Sequence, residues 1–192
     1  HRYGRGIRQN YLRAAEWYRQ AAVQGNADGN YFLGDMYENG EGVPQDKMEA
    51  SFWWRKAAEQ GHVLAQVALA QWYSDSSNDL INLDISAKLY EAAAKQGNTN
   101  AQIKLAEFYQ FSRGVPQSNV MAHMWYNIAV ATENNAYSRG ITIQKRDRLG
   151  EYLGRADLLA AQRLASQCMR SSYKDCGYWE PNCIPFPEGN IA

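Results

Sequence analysis

A short phrase of aromatic and small residues returns along this chain at a fixed step of 36, and that period limits the folds open to it. Leu33-Gly34-Asp35-Met36-Tyr37 recurs as Leu69-Ala70-Gln71-Trp72-Tyr73 and as Leu105-Ala106-Glu107-Phe108-Tyr109. A second phrase keeps the same step: Trp17-Tyr18 with Ala21-Ala22 and Gly25, Trp53-Trp54 with Ala57-Ala58 and Gly61, Leu89-Tyr90 with Ala93-Ala94 and Gly97. A unit of this length cannot bury its apolar face alone and buries it against copies of itself, so the period predicts a stacked array.

Within one unit the spacing predicts a helix pair. Gly29, Leu33, Gly34 and Tyr37 fall on one side of a first helix at about 100° per residue. Glu38-Asn39-Gly40-Glu41-Gly42-Val43-Pro44 then interrupts it, since two glycines and a proline disfavour continued helix. The second helix is announced by Asn10, Asp46, Asn82 and Ser118, which stand 36 apart and can each accept a hydrogen bond from a free amide at a helix start. Gly25, Gly61 and Gly97 supply its stop, and Glu133 breaks that rule in the last copy. The paired alanines let the two helices approach closely, while Trp54, Tyr90 and Tyr126 fill wider gaps between units. These patterns alone predict an all-α helical solenoid.

Gly4, Gly6, Ile7 and Asn10 lie 36 before Gly40, Gly42, Val43 and Asp46, so the chain is expected to open in a loop between two helices. The expectation is that it forms the C-terminal part of a longer protein whose first helix is missing here. Lys plus Arg balances Asp plus Glu at 20 each, which gives no bulk field to recruit nucleic acid or an acidic membrane surface. No apolar run reaches about 18 residues, so no membrane span is expected. No signal peptide is visible.

The run Leu33-Gly34-x-x-Tyr37-x-x-Gly40-x-Gly42-Val43-Pro44-Gln45-Asp46, followed by Ala50, Trp54, Ala57-Ala58 and Gly61, resembles the Sel1-like repeat family, relatives of the tetratricopeptide repeats. The resemblance covers residues 1–135, with a truncated first unit and further units at 27–62, 63–98 and 99–135. The middle unit departs from it, with Ser76 and Asn78 in place of loop glycines and Asp79 in place of the valine. The resemblance implies a right-handed superhelix of antiparallel helix pairs that acts as a non-enzymatic protein-binding scaffold. Many bacterial members are exported, so an immunity or host-interaction role in the periplasm or outside the cell is the expectation, with the cytoplasm as the alternative. Residues 136–170 read as two further helices that cap the array, and 171–192 as an irregular tail. Similar terminal cysteine pairs occur in exported relatives. That implies a bridge between Cys168 and Cys176, which leaves Cys183 over; free thiols are the other reading.

No catalytic constellation stands out. His1, His62 and His123 are far apart, Asp75 and Asp79 have no accompanying nucleophile, and Gly40-Glu41-Gly42 follows no strand. Neither metal nor cofactor is expected. The best candidate is a surface: Asp28, Phe32, Asp35 and Asn39 lie opposite the core side of the first helix, with counterparts Leu64, Ala68, Gln71, Asp75 and Asn100, Lys104, Glu107, Phe111. Their chemistry changes from copy to copy, as expected of a concave face fitted to a partner, although a merely solvated face would look the same. Met36, Trp72 and Phe108 form an apolar ladder beside the stripe, either as core packing or as exposed binding aromatics. Asp28, Asp35, Asp75 and Glu107 against Lys104 make the stripe acidic, which predicts a protein or peptide partner with a basic patch. A hydrolase acting on cell-wall material in the groove is the alternative function.

Overall fold

The computed structural model describes residues 2–75 and 80–176, and side chains from Asn10 onward. These residues form α-helices and connecting loops, with no strand among them. The helices are α1 (Arg2–Val23), α2 (Ala27–Asn39), α3 (Lys47–Glu59), α4 (Val63–Ser74), α5 (Leu83–Lys95), α6 (Thr99–Gln110), α7 (Asn119–Thr132), α8 (Ala136–Gly150) and α9 (Arg155–Arg170). Each helix from α1 to α8 packs on the next, which makes an all-α solenoid. Within it, α2 with α3, α4 with α5 and α6 with α7 are the repeated pairs.

The caps explain the regularity. Asp46, Asn82 and Ser118 accept from the first-turn amides of α3, α5 and α7. The first helices of the pairs have their own series, because Asn26, His62 and Asn98 also stand 36 apart and cap α2, α4 and α6. His62 is therefore a cap and not an ordinary loop residue. Gly25, Gly61 and Gly97 have φ of 80°, 83° and 84°, so each second helix stops in the left-handed conformation.

The connecting loops close alike even where their sequences differ. The cap amides of Asp46, Asn82 and Ser118 donate to the carbonyls of Tyr37, Tyr73 and Tyr109 at 2.9, 2.8 and 3.0 Å. The middle loop thus ends as the others do, while Ser76, Asn78 and Asp79 lie outside the described residues. Gly42 and Gly114 seat these loops on the preceding unit. A Cβ on Gly42 would stand 2.2 Å from the Tyr11 carbonyl oxygen, and one on Gly114 would stand 2.1 Å from that of Leu83. Only a hydrogen fits between the two backbones.

That seat accounts for a departure from expectation at the start of the chain. Arg2–Val23 is one continuous helix, so Gly4, Gly6 and Ile7 do not form a loop and Asn10 is interior to a helix and caps nothing. The described residues hold no earlier helix whose backbone could receive Gly6 as Tyr11 receives Gly42. Without that docking, intrahelical hydrogen bonds satisfy the backbone instead.

The core is built of repeated positions. Leu33, Leu69 and Leu105 are buried, as are Ala57, Ala58, Ala93 and Ala94. Gly34 faces Trp54 so closely that an added Cβ would lie 2.5 Å from the indole Cδ1. The following copies place Ala70 and Ala106 where Gly34 stands, and Tyr90 and Tyr126 where Trp54 stands, so the smaller ring goes with the larger neighbour.

A buried polar series also crosses the units. Gln66 Nε2 donates to the Ala58 carbonyl at 3.4 Å, and its Oε1 accepts from Gln96 Nε2 at 2.9 Å. Gln102 repeats this with the Ala94 carbonyl at 3.2 Å and the Thr132 hydroxyl at 3.1 Å. Asn30, one methylene shorter at the same place, leaves its buried Oδ1 without a partner.

The end of the array follows different rules. Both α8 and α9 pack on α7 more than on each other, so they straddle the last repeat helix and do not form another stacked pair. Ala161, Ala165 and Cys168 form the buried side of α9. Cys168 and Cys176 are joined by a disulfide that ties the segment after α9 back to that helix. The remainder of the expected tail, 177–192 with Cys183, lies outside the described residues.

Gly34→Ala should destabilise the fold by roughly 1–3 kcal/mol in urea unfolding. Trp54→Tyr in the same chain should recover part of that loss, because the pair then matches the two later copies; additive losses in a double-mutant cycle would refute this packing relation. Asn30→Gln should raise unfolding free energy by about 1 kcal/mol by supplying the missing reach, and a fall in stability would show that the site has no room for the added methylene.

Candidate binding groove

Outward positions of the first helices of two successive pairs, α2 and α4, face a common groove. Between α2 and α4, over the start of α3, there is a cavity of about 830 Å³. Asp35 and Asn39 line it from α2, and Ala68, Gln71 and Asp75 from the next unit. Five positions of the sequence-derived stripe thus converge on one wall-to-wall space. Trp72 of the apolar ladder lines it too, and Tyr31, Glu38, Lys47, Met48, Trp54 and Leu80, none of them a stripe position, complete the lining. Tyr31 and Glu38 flank the stripe on α2, and Trp54, which the period puts in the gap between units, reaches the groove as well. Lys47 and Met48 sit at the start of the second helix and reach the groove only because the loop folds back.

The carboxylate at the floor is held by the scaffold. Trp54 Nε1 donates to Asp35 Oδ1 at 3.0 Å, linking α3 to α2. Burial raises the Asp35 carboxyl above its usual range, against the opposing hydrogen bonds from Tyr31 and Trp54 and the neighbouring His62. Tyr31 is pushed up to about 12 by its burial and by Asp35. The Asp35 carboxylate is therefore costly to desolvate, and a cation beside it would recover part of that cost.

At the other end of α2, Asp28 lies apart from the cavity. The Nδ1 of His62 accepts from the Ala65 amide, so Nε2 carries the hydrogen and donates to Asp28 at 3.1 Å. Phe32 is exposed but stacks on Tyr18 of the preceding helix with ring centroids 5.0 Å apart. The ladder of Met36, Trp72 and Phe108 is buried, so core packing is the reading that holds. Phe108 meets Tyr90 edge-on with centroids 5.3 Å apart and is unavailable to a partner as it stands, whereas Trp72 keeps an edge on the groove.

The stripe does not stay acidic along its length. Glu107 accepts from Lys104 at 3.1 Å and from Lys145 of α8 at 2.7 Å. Burial alone would raise its carboxyl, but the hydrogen bonds from Lys145 and Lys104 outweigh this and hold it below the usual range. Glu107 and Phe111 line a separate cavity of about 350 Å³ with Tyr126 and residues of α8. The expectation that Asp28, Asp35, Asp75 and Glu107 make the stripe acidic is corrected at Glu107, which is already answered by two lysines, while Asp35 and Asp75 line the cavity over α2 and α4. Lys145 comes from outside the repeat, so the period had no means of placing it.

Among the described residues, no group of three His, Cys, Asp or Glu side chains is placed to hold a metal ion. No helix among them is long and apolar enough to cross a membrane.

The chain matches the Sel1 repeat over residues 1–26, 27–62, 63–98 and 99–131. Among curated proteins none matches. A Sel1 repeat protein from Oxalobacter formigenes is similar in structure at 25% identity and a TM-score of 0.61, over 84% of this chain and 57% of that one. The structure of c5321, a protective antigen present in uropathogenic Escherichia coli strains and displaying an SLR fold, is similar at 26% identity and a TM-score of 0.51. That likeness covers 84% of this chain and 42% of the other, so the chain spans less than two thirds of either relative. Sel1 repeats generally mediate protein–protein interaction and are typically non-enzymatic. With four consecutive repeat matches, the last three of them on the pairs α2–α3, α4–α5 and α6–α7, the chain belongs to the Sel1 repeat family.

Proposed function

We propose that this chain is a non-enzymatic scaffold that binds a basic, apolar-flanked segment of a partner protein in the groove between α2 and α4. The observation that carries the reading is the convergence of Asp35, Glu38 and Asp75 on an 830 Å³ cavity with Lys47 as the opposing charge. Trp54, Trp72, Met48 and Leu80 add apolar surface beside those carboxylates. Such a groove rewards a cation for reaching the acids and an apolar neighbour for leaving water. The floor is preorganised, because Asp35 is already fixed by the Trp54 indole.

We place its work outside the cytoplasm, in the periplasm or beyond the cell, in an immunity or host-interaction role. Support comes from the Cys168–Cys176 disulfide, since such bonds persist in oxidising compartments.

The binding reading is tested with a fluorescein-labelled short peptide of lysine and phenylalanine, titrated against wild type and a Gln71→Lys, Asp75→Lys variant. Wild type should bind it, and the variant should bind about tenfold or more weakly while unfolding at the same urea concentration. Equal affinity for both proteins would move the binding face elsewhere. The compartment is tested on protein purified from its own organism and digested without reductant: a Cys168–Cys176 linked peptide is expected in the mass spectrum, and free thiols at both positions would return the chain to a reducing compartment.

A further inference from the structure

The second cavity has the opposite chemistry from the first. It lies where the last repeat meets the cap, lined by Glu107 and Phe111 of the α6 end, Tyr126 of α7, and Ile141, Gln144, Lys145 and Arg148 of α8. The one acid in that lining is consumed, since Glu107 is bonded to both Lys145 and Lys104. Arg148 is different. It makes no ion pair or hydrogen bond among the described residues, and its place in the last turn of α8 gives it only the screened attraction of a helix C-terminus. Gln144, one turn before it, is likewise without an internal hydrogen bond among the described residues.

Apolar surface stands open beside these polar groups. Phe111 is 63% exposed and Ile141 is 40% exposed, and both face the same cavity. At about 350 Å³ the space is at the low end for a ligand pocket and fits one or two side chains. Lys145 and Arg148 against the one carboxylate of Glu107 leave the lining positive, so an acidic group completes it and a basic one is repelled.

We propose that this cavity is a second subsite for the partner protein, taking an acidic residue with an adjacent aromatic or large aliphatic side chain. Arg148 and Gln144 receive the carboxylate, a fork geometry that arginine suits, and Phe111 with Ile141 receives the apolar side chain. The proposal deepens the scaffold reading, because Asp35 and Glu107 occupy equivalent positions of the same stripe two units apart. A partner segment lying along that stripe is then basic over α2 and α4 and acidic at the cap. Its direction along the solenoid is set by charge, since reversing it would place like charges together at both ends.

The test uses a fluorescein-labelled short peptide of glutamate and phenylalanine, followed by polarisation with the whole chain, its Arg148→Glu variant and its Phe111→Ser variant. The expected result is binding to wild type, a loss of about tenfold or more in each variant, and unchanged affinity of both variants for the lysine–phenylalanine peptide. Unchanged affinity for the acidic peptide in Arg148→Glu would overturn the proposal. So would binding that appears only when residues 178–192 are removed, because the chain's own Glu180 and Glu188 would then be the occupants. Each subsite has its own peptide and variants, so a failure of the acidic probe is separable from a failure of the basic one.

Discussion

An alanine offers a single methyl group, so a seam made of alanines stays dry only if two helices lie almost in backbone contact. That constraint governs this molecule. Ala57, Ala58, Ala93, Ala94, Ala101 and Ala106 are all buried along the joints between helices. With the helices drawn so close, the larger rings have fixed places, and Trp54 can sit as it does only because Gly34 has no side chain. The same indole fixes Asp35 in the groove, so the packing rule and the candidate site meet in one side chain.

The repeated part of the fold was legible because close packing recurs at fixed positions. Leu33, Leu69 and Leu105 are interchangeable in the core, and Asp46, Asn82 and Ser118 are interchangeable at the caps. The start was misread for a physical reason: glycines make a loop here when a neighbouring backbone receives them, and Gly6 has no such neighbour among the described residues. The groove was half legible. Helical spacing put Asp35, Asn39, Gln71 and Asp75 on one face, yet spacing within a helix is silent on which face of the next helix comes opposite. Lys145 reaches Glu107 across 38 residues from a helix that breaks the period, so the change of sign along the stripe could only be seen in three dimensions.

The polar groups of the interior divide the work differently from the apolar ones. Alanine and leucine seams favour any close stacking, because dispersion and burial are non-directional. Gln66 and Gln102 are directional: each contacts a carbonyl of the preceding helix end and accepts a hydrogen bond from the following one. A unit shifted by one helical turn would leave these amides buried and unpaired, at a cost of about 1–3 kcal/mol each. The polar series thus selects one register from the several that the apolar surfaces would accept.

The seat of Gly42 on the Tyr11 carbonyl, repeated by Gly114 on Leu83, joins backbone to backbone and asks nothing of any side chain except that one be absent. At these two places the joint is therefore indifferent to the side chains of the units it connects. Units can be added to or removed from such an array as whole steps of the period, while residues on the groove wall vary without disturbing the joint. In this architecture the length of the recognition surface is an integer, counted in units, and its specificity is a separate variable written along the stripe.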